Sequence, residues 1–184
     1  MITCFPRFAG VLFAFVVLAQ SWWAAQTATE KPNQYLDSDG YAVLSTVAAT
    51  PRDGCGAPMR IVDQTTKPVR DILTRVSFDD ADHQRQFRAL AAEYDNINRI
   101  PLELLPRFSP RERYTLLPHG FVSGANRYLQ VSAVAFDKEK TLALVSVENQ
   151  CGCVVSHVLV LEKQDGKWQE VNWPGKHFDQ ATCD

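Results

Sequence analysis

The chain has 184 residues, 46% of them hydrophobic and 22% charged, with a formal charge of −2. A balance so close to neutral, with no run of five basic residues, offers no nucleic-acid surface. The length suits one domain with a single sizeable core.

The first 28 residues differ from the rest. Arg7 and the amino terminus carry positive charge, "FAGVLFAFVVLA" follows as an apolar run of twelve, and no acidic residue precedes Glu30. This is the layout of a secretory signal, and the run is shorter than the ~20 residues of a membrane-spanning helix. The small-x-small triplet "AQS" at 19–21 and the alanines after it place cleavage between 21 and 28, followed by a short leader to 36. A retained anchor over 8–25, with Trp22 and Trp23 at the interface, is the alternative. The expected product is exported, periplasmic or secreted, with 37–184 as a single domain and no membrane insertion beyond the signal segment. Past Ser21, 18 basic residues face 21 acidic ones, a formal charge of −3.

Along the mature chain, "LDSDGYAVLSTVAAT" predicts a short helix, capped by Ser38 or Asp39, with Tyr41, Leu44, Val47 and Ala48 on one face. Thr50-Pro51 ends it, because a residue before proline avoids the helical region. "RDGCGA" is a turn carrying Cys55, and "PMRIVDQTT" alternates as a strand with Met59, Ile61 and Asp63 to one side. "FDDADHQRQFRALAAEYDNIN" is the strongest helix, capped by Asp79 or Asp80, with Phe87, Leu90, Ala91 and Tyr94 as its stripe. Pro101, Pro106 and Pro110 restrict "IPLELLPRFSPRERY" to an ordered connection with its leucines turned inward.

The last third is β-rich. "RYLQVSAVAF", "TLALVSVEN", "VVSHVLVLEK" and "WQEVNW" predict consecutive antiparallel strands. Asp165-Gly166 marks a type I′ hairpin, which needs positive φ at both central residues. Trp168, just after that turn, is expected to anchor the core across Leu159 or Leu161. The class is α+β: one or two N-terminal helices packed on a curved antiparallel sheet formed mainly by the C-terminal half.

"YTLL", "GFVSGANRYLQVSAVAFDKEKTLALVSVENQCGC" and "VLVLEKQDGKW" resemble a group of uncharacterised exported bacterial proteins. These share an "ALV-V" strand, an N-x-C-G segment and an "LEK-x-x-G-x-W" hairpin. The resemblance covers residues 114–172 and implies export and an α+β fold, with no activity attached. The relatives separate their cysteines as C-G-x-x-C-G, whereas here Gly152 alone stands between Cys151 and Cys153. A second likeness, to NTF2-like α+β domains, rests on the final "GKW" hairpin.

Cys55, Cys151, Cys153 and Cys183 remain beyond the signal, and an even number in an exported chain points to two disulfides. A bond from Cys151 to Cys153 along an extended chain nears the ~7 Å Cα limit. One bond to Cys55 and one to Cys183 are therefore expected. Continuing the register set by Gln164 facing Lys167 carries Cys183 toward Cys151, which favours Cys151–Cys183 with Cys55–Cys153; the swapped pairing, Cys153–Cys183 with Cys55–Cys151, is the alternative, because Pro174 and Gly175 interrupt the register. The alternative is a metal site of Cys151, Cys153 and His157, three ligands on one strand face. Its obstacles are the oxidising compartment and the ~13 Å of extended strand between Cys153 and His157. A redox pair would want C-x-x-C at a helix start, which is absent.

Hydrolytic chemistry has no G-x-S-x-G elbow and no H-E-x-x-H to rest on. His119 and Ser123 share one loop and are the nearest thing to a catalytic pair. Asp80, Asp82 and Gln84 echo half a calcium loop but lack its glycine and closing glutamate, so helix capping accounts for them. No cofactor is implied. The expected function is a non-enzymatic binding module for a protein, envelope or small-molecule partner, presented through a concave sheet face. A small hydrolase with an unrecognised site is the alternative.

Overall fold

The computed structural model describes residues 33–50, 59–67, 71–109, 114–120, 127–151, 153–173 and 177–178. All of them belong to one compact unit, Pro32–Asp184. The expectations for the signal segment, Cys55, Ser123 and Cys183 fall outside these residues, as do the side chains of Cys151 and Cys153.

Helix α1 spans Ser38–Ala49. Its cap is Asp37, one residue before Ser38 and two before Asp39, the predicted caps: the Asp37 carboxylate accepts the backbone N–H of Asp39 at 2.9 Å and of Gly40 at 3.2 Å. Gly40, Tyr41, Val43, Leu44 and Val47 are buried. Gly40 is required for space, because a Cβ there would lie 1.8 Å from the Tyr35 hydroxyl. Thr50 is extended, as a residue before proline should be.

Strand β1 (Met59–Val62) is followed by a single helical turn, α2 (Ile72–Arg75), and by β2 (Val76–Ser77). Helix α3 (Ala81–Ile97) is capped by Asp80, which accepts from Asp82 and His83, and it buries Phe87, Leu90, Ala91 and Tyr94 as its spacing predicts. Among its described residues the proline-rich connection forms no helix. Leu104 and Phe108 are buried within it.

The remaining strands are β3 (Tyr114–Leu117), β4 (Arg127–Val131), β5 (Ala135–Phe136), β6 (Leu142–Cys151), β7 (Cys153–Gln164), β8 (Lys167–Glu170) and β9 (His177–Phe178). The run "RYLQVSAVAF" divides in two because Asn98, the cap residue ending α3, accepts from the Ala133 N–H and donates to its carbonyl. Ser132 meanwhile accepts the Ser146 N–H. The main sheet is curled and mixed, in the order β3-β1-β4-β6-β7-β8, with β5 also paired to β6. Its C-terminal strands run antiparallel as expected, while β1 pairs in parallel with both β3 and β4. At the β7–β8 turn Asp165 and Gly166 have φ of 49° and 75°, the I′ signature.

The helices cover opposite faces of this sheet. Along β6, Ala143, Val145 and Val147 join the core under α1, whereas Leu144 joins the core under α3. The continuous apolar run "LALVSV" is the reason, since a strand buried on both faces loses its alternation. Among the described residues no helix is long and apolar enough to cross a membrane.

Candidate functional site

Two adjoining grooves lie between α3 and the start of β6. One wall of the first is the outer flank of α3, with Gln86, Ala89, Leu90 and Glu93 at helical spacing. Its other wall is the β5–β6 turn from Phe136 to Leu142, and its volume is about 680 Å³. Asp137 holds that turn together, accepting from the Thr141 N–H (2.7 Å), the Thr141 hydroxyl (2.6 Å) and the Leu142 N–H (2.9 Å). That carboxylate is therefore spent on structure. Lys140, at φ 52°, points away to Asp37 and Asp39. Glu93, Lys138 and Glu139 remain on the groove, with no ion pair among the described residues.

The second groove, about 700 Å³, shares Gln86, Thr141 and Leu142 with the first. It continues past His83, Glu162, Glu170, Val171, Asn172 and Trp173. His83 stacks on Trp173, with centroids 4.7 Å apart and planes at 16°. Its Nδ1 is 3.4 Å from the Asp80 carboxylate but is buried without a hydrogen bond. Glu162 accepts from Gln164 at 3.0 Å. The joined trough has an apolar floor of Leu90, Phe136, Leu142 and Val171. Its rim carries four glutamates, Glu93, Glu139, Glu162 and Glu170, against one lysine, Lys138.

The residues singled out by sequence are scattered. Cys151 and Cys153 are direct register partners across β6 and β7, so the chain reverses between them and is not extended there. This corrects the premise that separated them: partners in an antiparallel pair have Cα atoms about 4.5–5.5 Å apart, inside the range a disulfide spans. His157 pairs with Val147, four residues along β7 from Cys153, which keeps it ~13 Å away on the backbone. It is half-buried and engaged elsewhere. The register Gln164↔Lys167 is as expected, and it persists to the Val171 N–H on the Val160 carbonyl. Beyond that, β9 pairs with β2, so the projection of Cys183 toward Cys151 ends. Among the described residues no three His, Cys, Asp or Glu side chains gather to hold a metal.

Asp80 acts as a cap, and its carboxyl is held below the usual range mainly by the His83 backbone N–H. Asp82 pairs with Arg85 at 2.9 Å. Gln84 accepts the Phe78 N–H. None of the three faces a common centre. Trp168 is buried with Leu159 and Leu161.

Two arrangements had no signal in the sequence. His119 is oriented by Asp63, 56 residues away, whose Oδ1 meets both its backbone N–H (2.9 Å) and its Nδ1 (3.0 Å). Glu148 stands between Gln130 and Ser156 on three neighbouring strands. It is half-buried, and burial alone raises its pKa. Among the described residues, the trough combines volume, an apolar floor and an excess of carboxylates on its rim. No family model matches the chain, and neither a curated protein nor a solved structure does.

Proposed function

We propose that this chain is an exported binding module, and that the acid-rimmed trough beside α3 takes an extended peptide segment carrying cationic and apolar side chains. The observation that carries this reading is the pair of grooves sharing Gln86, Thr141 and Leu142, with four glutamates around an apolar floor. From His83 to Glu93 the helix rises about 15 Å at ~1.5 Å per residue, the length of four to five extended residues at ~3.3 Å each. Leucine-like side chains would cover Leu90 and Phe136 while lysines or arginines reach the rim carboxylates. Export rests on the Arg7-then-apolar layout and on the even number of cysteines beyond it, Cys55, Cys151, Cys153 and Cys183, which would pair as two disulfides.

The hydrolase alternative has one observation in its favour, the imidazole of His119 oriented by Asp63. Among the described residues no serine or threonine hydroxyl is hydrogen-bonded to that ring, and Ser123 lies outside them.

The test is fluorescence anisotropy with a labelled octapeptide alternating lysine and leucine, beside one alternating glutamate and leucine. The lysine peptide is expected to bind and the glutamate peptide to fail. Ala89 is exposed on the groove wall, so Ala89→Arg adds bulk and the wrong charge without disturbing the core, and should abolish binding. Equal binding of both peptides, or undiminished binding to Ala89→Arg, would overturn the assignment.

A further inference from the structure

A third groove, about 510 Å³, lies on the other helix, between the outer face of α1 and the β7–β8 turn. Its chemistry is the reverse of the trough. Arg107 stands on one wall and Lys167 on the other, with Ser38, Thr46 and Ser109 around them. Both cations are exposed, and among the described residues neither has an ion-pair partner.

Each is presented by a braced backbone. The segment before Arg107 is clamped to α1, because the Leu105 N–H donates to the Tyr41 hydroxyl at 2.6 Å. The segment after it is clamped as well, through the Ser109 N–H on the Ser45 hydroxyl at 2.9 Å. Phe108 between them is buried, edge-on to Tyr41 at 5.4 Å. Lys167 is fixed opposite by its register with Gln164 and by the tight Asp165-Gly166 turn.

The two carboxylates that flank Ser38 are already neutralised. Asp37 and Asp39 at the start of α1 are bound by Lys140, and Asp39 also by Lys163 at 3.2 Å. The Lys163 hydrogen bond is the main reason the Asp39 carboxyl is held below its ordinary range. The groove therefore keeps a local positive field on a chain whose formal charge is −2.

We propose that this groove is a second binding site, for an oxyanion group, with Arg107 engaging it by its planar fork and Lys167 as a point charge. The volume exceeds that of a lone ion and accommodates a sulfated or phosphorylated sugar unit. Two sources share this chemistry, a free inorganic oxyanion and an oxyanion carried on a polymer.

Amide-resolved NMR titration of the mature chain separates them, using inorganic phosphate, a sulfated oligosaccharide and the same oligosaccharide without sulfate. The sulfated oligosaccharide is expected to shift the amides of 105–109 and 166–168, and the unsulfated one to leave them alone. Arg107→Gln and Lys167→Gln should each weaken binding about two- to fivefold, as loss of one exposed charge contact does, and added salt should weaken it further. Lys138→Gln, on the trough beside α3, should change nothing here. Shifts from phosphate at the same amides with none from the oligosaccharide would identify a free oxyanion as the ligand. Absence of shifts with every probe, or binding unchanged in the double variant, would overturn the site.

Discussion

The hydroxyls of Tyr94 and Ser146 meet 2.5 Å apart in the core, joining the last turns of α3 to the middle of β6. Ser146 is fully buried and so is the Tyr94 ring. The pair is the polar seam of an otherwise apolar contact, and it fixes where along the sheet the helix sits.

Tyr94→Phe removes one partner and leaves the Ser146 oxygen without its phenol. A buried polar group so orphaned costs about 1–3 kcal/mol. The expected result is a lower denaturation midpoint with an unchanged slope, because the fold stays as compact as before. A midpoint equal to that of the parent would show that α3 is positioned by its apolar stripe alone.

Alkaline stability follows from the same residue. Burial pushes the Tyr94 phenol up to about 12, and burial raises Tyr35 further. An unfolded tyrosine ionises near 10, so above that pH the unfolded state loses protons that the folded state keeps. Stability is then whole below about pH 10 and falls as the pH rises toward 12. Denaturant midpoints measured across that range should decline, and Tyr94→Phe, though weaker at neutral pH, should decline less steeply. An identical decline in the variant would show that the Tyr94 phenol takes no part in it.

How much of this was legible depends on the scale of the signal. Local patterns were sufficient for α3, whose stripe Phe87, Leu90, Ala91 and Tyr94 is buried as spaced, and for the I′ turn at Asp165-Gly166. The cap of α1 moved by one residue because three oxygen-bearing side chains compete there and only Asp37 has the extended backbone a cap requires. The parallel pairing of β1 was invisible, since four residues, Met59–Val62, carry no mark of which strand they will meet. The trough was invisible too. Its carboxylates come from α3, the β5–β6 turn, β7 and β8, and each alone reads as a solvated surface charge.

Trp168 is a core anchor on the α1 face. It is 6% exposed and lies in one cluster with Leu159 and Leu161, with Phe136 at 5.5 Å and the Lys163 ammonium 5.4 Å above its ring. Trp168→Ala should cost about 3–5 kcal/mol, as other buried aromatic truncations do. Trp168→Phe should recover most of that loss, because the apolar volume is largely kept. A melting temperature unmoved by the alanine change would place the ring outside the core.

The cysteines give the last prediction. If the chain is exported as proposed, its four cysteines beyond the signal segment should be paired, and thiol counting on denatured, unreduced protein should find none of them free. The sequence favoured two long-range bonds because it took residues 151–153 as extended. The register makes Cys151 and Cys153 opposite partners, with Cα atoms about 4.5–5.5 Å apart. It also stops carrying the chain toward Cys151 after Val171, where β9 turns to β2. Both changes favour a bond across the hairpin tip, leaving Cys55 to Cys183. Proteolytic mapping should therefore recover Cys151 and Cys153 linked on one peptide. The hairpin bond closes a very short loop and so restricts the unfolded chain little, whereas the Cys55–Cys183 bond closes a long one and contributes about 4–5 kcal/mol on the chain-entropy scale. Loss of the first should then leave the melting temperature nearly unchanged, and loss of the second should lower it sharply. Recovery of Cys151 on a peptide joined to Cys183 would restore the long-range pairing, and two free thiols with one equivalent of bound zinc or copper would replace both disulfides with a metal site.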